Sequence, residues 1–513
     1  MPKTPSDRLF QLIKSLSSPE KRYFKLFVNT DGSRDNKYIR LFDAIDAQEE
    51  FDDDALRQFI YADEPIQSRK YSELKAYLYE MILKSLQSYD EKNAIDYRLR
   101  NLLLGVRSLY KRSLFEDCRK VLQKAEKWAD FYEKFDVILE VLNWQKQIAY
   151  ARAEIGFLDK KLTGIASREA DYLNKIQNVT DFQNLFFRVL VAVRKNTLRV
   201  DSQDTELSTF TANHLLTSPE CALTHQSRIL YFRIRSVLSY AGRSYSDFYE
   251  LSKALITLME SKPHFLAEDV SEYISALSNM AVSCGYLGRF DEVAACLDKM
   301  QQITPLTLDD RLKIHRQYYT HKFRLCIETG DFNEGLAVVQ AHLKELTHLD
   351  KEVFERSSFY FQYFYIFFGA GNYDKALEYL NQWLNLPRSI ERQDLQSLAR
   401  ILNLIIHYEM GNTLLLDSLL RSTYRFLHRT EGLLHFELRL MQFIRQANRA
   451  NSRRAIEGEL QALKTDFHTL TQDPAEKAML QLFDFEAWLD SKIQRRSFAE
   501  VVREKFQRQL KAE

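Results

Sequence analysis

Leu287-Gly288-Arg289-Phe290-Asp291-Glu292, Thr329-Gly330-Asp331-Phe332-Asn333-Glu334 and Ala370-Gly371-Asn372-Tyr373-Asp374-Lys375 are three renderings of one phrase, and their recurrence between Ser275 and Trp383 decides the fold. Each has a glycine, one polar or basic residue, an aromatic and two polar residues, and a short side chain follows (Val293, Gly335, Ala376). On either side, apolar residues recur at helical spacing. A glycine at such a junction takes the left-handed backbone that ends a helix. The aromatic two residues later plugs the corner, and the short residue lets the two helices approach. The phrase is the turn of a helical hairpin. It places Gly288, Gly330 and Gly371 between helices, with Phe290, Phe332 and Tyr373 packed behind them.

The same rhythm extends outward. Turns are expected near Ser113, Gly156, Arg199 and Gly242, then at Gly288, Gly330, Gly371 and Gly411, with a weaker one near Ala450. A fixed period of about 40 to 46 residues marks a solenoid. Pro305 and Pro387 fall where second helices should stop. Residues 1–95 do not follow the period. They read as a helical module or cap, with helices from Ser6 to Leu16, from Ser18-Pro19-Glu20 onward, around Tyr38 to Ile45, after Asp52-Asp53-Asp54, and from Ser68 to Tyr89. Ser18 is the expected N-cap of the second, and the acidic run suits the positive end of the fourth. The expected fold is all-α: this N-terminal module, then residues 96–513 as a right-handed α-solenoid of about nine helix pairs.

Over residues 242–411 the pattern resembles the tetratricopeptide repeat. In the Gly288 unit Ala281 stands at the small position of the first helix, Phe290 at the corner, Val293 where alanine is usual, and Pro305 at the close. Tyr373, Ala376 and Pro387 do the same for the Gly371 unit. The period is longer than that family's, and Val293 and Gly335 depart from its alanine. The resemblance implies that first helices line a concave groove and that the protein is a scaffold or adaptor for a peptide or protein.

Composition excludes other classes. The 513 residues include only 14 glycines and 9 prolines, too few turns for an all-β or doubly wound fold. Lysine plus arginine (72) nearly balances aspartate plus glutamate (71), so no global field draws the chain to nucleic acid or an anionic membrane. The most apolar run, Phe359 to Phe368, is too short to span a bilayer. Cys118, Cys221, Cys284, Cys296 and Cys326 are scattered singly and read as buried thiols of a cytoplasmic protein. No phosphate loop, dinucleotide fingerprint, nucleophile elbow or zinc-protease motif occurs, and the histidines lack metal spacing. No catalytic residue, metal or cofactor is expected.

The aromatic run Phe359 to Phe368 is the expected anchor surface. If its helix faces the groove, Phe361, Tyr365 and Phe368 point there, with Gln317, Thr320 and Arg324 of the preceding unit on the same wall. Arg324 would hold a carboxylate in its fork, and Tyr365 would offer a flat apolar face with a wet hydroxyl. Two further readings concern nucleic acid. Basic patches at Arg98 to Lys134 and around Arg445 to Arg496 are weighed as solvated helix faces first. The segment Asp52 to Leu86 has the outline of a helix-turn-helix, and the alternative is a peptide-sensing regulator whose N-terminal helical module binds DNA or a signalling protein.

Overall fold

The computed structural model describes residues 7–28, 37–61, 68–90, 94–197, 209–346, 359–385, 393–429, 434–449 and 453–512. Among these residues helices are the regular structure and no strand occurs. The chain forms two compact units, Met1–Gln177 and Asn178–Glu513.

The first unit begins with α1 (Arg8–Ser15), α2 (Ser18–Val28), α3 (Lys37–Ala47), α4 (Asp53–Ile60) and α5 (Ser68–Asp90). Their apolar faces close one core around Ile13, Phe24, Phe42, Leu78 and Ile82. Asp52 caps α4 by accepting from the Ala55 N–H at 3.0 Å. Ser17, not Ser18, caps α2: its Oγ accepts from the Glu20 N–H, and its own N–H donates to Glu20 Oε2 at 2.6 Å. A serine pair before proline leaves that choice open, and the reciprocal bond to Glu20 settles it. A second core gathers α6 (Ile95–Tyr110), α7 (Phe115–Phe131), α8 (Phe135–Ala151) and the start of α9 (Ile155–Thr197), around Leu99, Leu122, Ile138 and Leu142.

The second unit takes up α9 from Asn178 onward. It continues with α10 (His225–Ala241), α11 (Tyr245–Glu260), α12 (Ser271–Tyr286), α13 (Phe290–Gln302), α14 (Leu308–Thr329) and α15 (Phe332–Leu346). Then come α16 (Tyr360–Gly369), α17 (Tyr373–Leu384), α18 (Gln393–Glu409), α19 (Thr413–Arg429), α20 (His435–Arg449) and α21 (Arg453–Leu470). The last three are α22 (Pro474–Leu480), α23 (Phe485–Gln494) and α24 (Phe498–Ala512). Successive helices pack as adjacent pairs, α10 with α11, α12 with α13, α14 with α15, and so on to α20 with α21.

One turn recurs within the pairs from α10–α11 to α18–α19. Gly288, Gly330, Gly371 and Gly411 have φ of 71°, 72°, 75° and 70°. In each, the N–H after the glycine donates to the carbonyl five residues back: Arg289 to Cys284 at 2.9 Å, Asp331 to Cys326 at 3.0 Å, Asn372 to Phe367 at 2.9 Å, Asn412 to His407 at 3.0 Å. This is the six-to-one bond of a left-handed helix cap, which satisfies carbonyls the helix leaves open. The same bond forms with no glycine at Ser113, Ala153 and Arg243, whose φ values are 59°, 54° and 57°. Two expected turn positions are thereby corrected. Gly242 has φ −78° and its neighbour Arg243 turns the chain, while Gly156 lies inside α9 and Ala153 turns it. The turns expected near Arg199 and Ala450, and Pro387, lie outside the described residues.

The corner reading holds in detail. Phe332 is fully buried and Phe290 and Tyr373 are half-buried, with Val293, Gly335 and Ala376 inside. Gly369 is needed for Phe332: a Cβ built on it would lie 2.3 Å from that ring. Four cysteines are buried, but Cys221 is only half-buried, in a short helical turn at Pro219–Cys221.

Candidate functional site

The six residues expected on one groove wall divide into two sets. On α16, Tyr365 and Phe368 are buried, 6% and 1% exposed, and Phe361 is half-buried against Trp383 at 5.0 Å between ring centroids. They are core, not exposed anchors. Their cover is the chain's own end. The Phe483 and Phe498 rings lie 5.0 and 6.3 Å from Tyr365, and 5.3 and 5.5 Å from Phe368. The Asp484 N–H donates to Tyr365 Oη at 2.9 Å, so the hydroxyl expected to stay wet is used internally. Burial holds that phenol well above the ordinary tyrosine range, and the Asp484 carboxylate adds to the effect.

Gln317, Thr320 and Arg324 lie on α14, and all three are half-buried. Gln317 Oε1 accepts from Ser278 Oγ of α12 at 2.8 Å. The Arg324 guanidinium lies 5.2 Å from the centre of the Tyr286 ring and beside Gly285. Its ion pair with Glu328 is long, 3.8 Å, and its side chain is 39% exposed. Tyr286 in turn stacks face to face on Tyr245 at 4.1 Å and 4°, with Tyr240 6.0 Å away. Tyr240 and Tyr286 remain 42% and 41% exposed. Burial and a hydrogen bond to Tyr286 push the Tyr240 phenol up to about 12, so its hydroxyl is neutral near pH 7. Three consecutive hairpins thus bring together three phenols and one guanidinium, with Tyr240 and Tyr286 exposed and Tyr245 and Arg324 half-buried. The tyrosines were not singled out from the sequence, although each falls within three residues of a turn, a position that could have flagged them.

The nearby histidines are also rearranged by tertiary packing. His315 and His342, isolated in sequence, lie 4.8 Å apart in the interior. His342 Nδ1 meets Tyr363 Oη at 2.5 Å, while Tyr319 Oη donates to Glu345 Oε1 at 2.8 Å and His315 Nδ1 lies 3.2 Å from Glu345 Oε2. Phe323 and Phe359 pack on the same rings. His321 meets Ser278 Oγ at 2.8 Å, and burial, with Arg324 adding, lowers it to about 4. These are interior side chains wrapped in aromatic rings.

Elsewhere charge is largely paired. In the first basic patch Arg100 pairs with Asp136, Lys134 with Asp96 and Arg119 with Glu154, while Arg98 and Lys124 lie over Trp128. In the second, Lys492, Arg495 and Arg496 pair with Glu409, Glu457 and Glu504, and Arg445, Arg449 and Arg454 stay exposed. On α5, Lys75 is tied to Asp53 at 2.7 Å, while Arg69, which pairs with Glu73 at 2.9 Å, and Lys70 are both exposed near its start. The turn of the supposed helix-turn-helix lies outside the described residues. A shallow open groove runs between the Gly371 and Gly411 turns, lined by Ala370, Asn372, Tyr373, Asp374 and Met410. Among the described residues no cluster of three His, Cys, Asp or Glu is set to hold a metal, and no helix is long and apolar enough to cross a membrane.

No family model, no curated protein and no solved structure matches this chain.

Proposed function

We propose that this protein is a non-enzymatic interaction scaffold of the cytoplasm, a right-handed array of tetratricopeptide-like hairpins that binds a peptide or protein segment. The observation that carries the reading is the partly exposed cluster of Tyr240, Tyr245, Tyr286 and Arg324. Arginine and tyrosine dominate interface anchors because they combine large contact area with directed hydrogen bonds. The guanidinium edge suits a carboxylate, and the phenol edges suit an apolar or aromatic side chain beside it. The partner surface therefore moves from α16 to the α10–α12–α14 row, and Arg324 is the anchor retained from the sequence.

Affinity capture from the native cell, with quantitative mass spectrometry, tests this. Arg324→Ala and Tyr286→Ala should each lose the specific partner by about 10- to 100-fold, about 1 to 3 kcal/mol. Circular dichroism should be unchanged, because both side chains are partly exposed. An identical set of captured proteins for wild type and both variants would end the proposal.

A further inference from the structure

Tyr245 and Tyr286 meet where the turns of two successive hairpins stand side by side. Tyr245 opens α11 just after the Arg243 turn, and Tyr286 ends α12 just before the Gly288 turn. Their rings are parallel within 4°, with centroids 4.1 Å apart. By contrast, Tyr363–Tyr379, Tyr38–Tyr77 and Tyr23–Tyr89 lie 5.0, 5.1 and 5.3 Å apart and are tilted by 64°, 44° and 63°. Tyr245 is half-buried and Tyr286 is exposed, so a small oxidant reaches the pair and one ring has room to turn. The cysteine nearest in sequence, Cys284, is buried, and burial pushes its thiol up to about 12. It offers no thiolate to quench a phenoxyl radical.

We propose that Tyr245 and Tyr286 form an oxidative cross-linking site, at which a peroxide-driven one-electron oxidant of the haem-peroxidase class joins them as an intrachain dityrosine. The link would staple the Arg243 hairpin to the Gly288 hairpin. This chemistry lies within one chain and is independent of the scaffold reading.

The step balances as follows from the two phenols. Each gives up one electron and one proton, and hydrogen peroxide takes up both electrons and both protons as its O–O bond breaks, leaving two waters. The two phenoxyl radicals pair their electrons in a carbon–carbon bond between ring positions ortho to the hydroxyls. Each ring then moves its ortho hydrogen to oxygen, which restores both phenols. Rings already held face to face couple in an effectively unimolecular step, ahead of pairs that must first find each other.

The test treats the full chain, at high dilution, with hydrogen peroxide and a small haem peptide. Mass spectrometry of the digest should show one dominant linked pair, Tyr245 to Tyr286, lighter than its two peptides by two hydrogens, in a yield independent of protein concentration. Tyr245→Phe keeps a ring in the stack but cannot couple, and should cut the total dityrosine fluorescence at least about tenfold. Tyr23→Phe should leave it unchanged. Absence of dityrosine, a yield that rises with protein concentration, or a dominant Tyr38–Tyr77, Tyr23–Tyr89 or Tyr240–Tyr286 link would overturn the proposal. So would a melting temperature that coupling leaves unchanged, because a loop closed in the unfolded chain should raise it.

Discussion

Alanine at Gly330 and alanine at Gly371 should differ although their backbones do not. The two glycines share a left-handed conformation, φ 72° and 75°, so a Cβ introduces the same local strain, about 1 to 2 kcal/mol. Reduced freedom of the unfolded chain returns about 0.4 to 1 kcal/mol of that. At Gly371 nothing else lies within 4 Å of the new methyl, so Gly371→Ala should cost about 1 kcal/mol in all. At Gly330 the methyl meets Arg503 N and Ala499 O, which are backbone atoms and cannot rotate aside. α24 must lift, exposing Phe498, Val501 and Val502, which are 5 to 7% exposed in place. Each such side chain is worth about 1.5 to 3 kcal/mol when fully buried. The freed helix regains conformational entropy, so the further loss should be about 2 to 4 kcal/mol. Denaturant melts of the two variants give the difference, and hydrogen exchange locates it, with protection lost over residues 498–506 in Gly330→Ala alone. Equal destabilisation within about 0.5 kcal/mol, the usual error of additivity, with α24 still protected would refute the reasoning.

Two further outcomes follow from the same structure. His321 is held at about 4, below its usual 6.5, so between those values the unfolded chain binds a proton that the native state refuses. Its contribution is complete above about pH 6.5 and is lost as the pH falls toward 4, about 2 kcal/mol of it by pH 5. His315, lowered mainly by burial, acts in the same sense. Melts at pH 7 and pH 5 should show a smaller acid loss in His321→Gln than in wild type, and parallel losses would exclude the assignment. Ala153→Gly should raise stability by about 0.5 to 1 kcal/mol, because Ala153 sits at φ 54° where glycine carries no strain. A lower melting temperature would show that the turn is not strained.

The architecture was legible where glycine marks the left-handed turn residue. At Ser113, Ala153 and Arg243 the same turn forms without glycine, held by the six-to-one bond and the packing of its helices. Local sequence is silent there, so Gly156 and Gly242 drew the reading a few residues aside. Which of the expected wall residues stay accessible was only half legible. Helical spacing places Tyr365 and Phe368 on a face of α16 but does not say what covers that face. Asp484, whose N–H reaches Tyr365, lies 119 residues further along the chain. Arg324 stays partly accessible because an arginine can reach out of a helix face through its long stem. The pairing of His315 with His342 was hidden for the same reason as the cover on Tyr365, since two helices supply it.

The Arg503–Gly330 contact spans 173 residues, and that separation has a bearing on how the second unit comes apart. A stack of hairpins that touch only their neighbours melts like a zipper, fraying from either end with low cooperativity. When the final helix returns to the Gly330 hairpin, the fragment between them becomes a closed ring of contacts. Ring closure taxes folding late, because a long loop must be ordered before the last contact rewards it. Once formed, it ties α24 to the Gly330 hairpin, so the hairpins from α14 to α24 should open together rather than one by one.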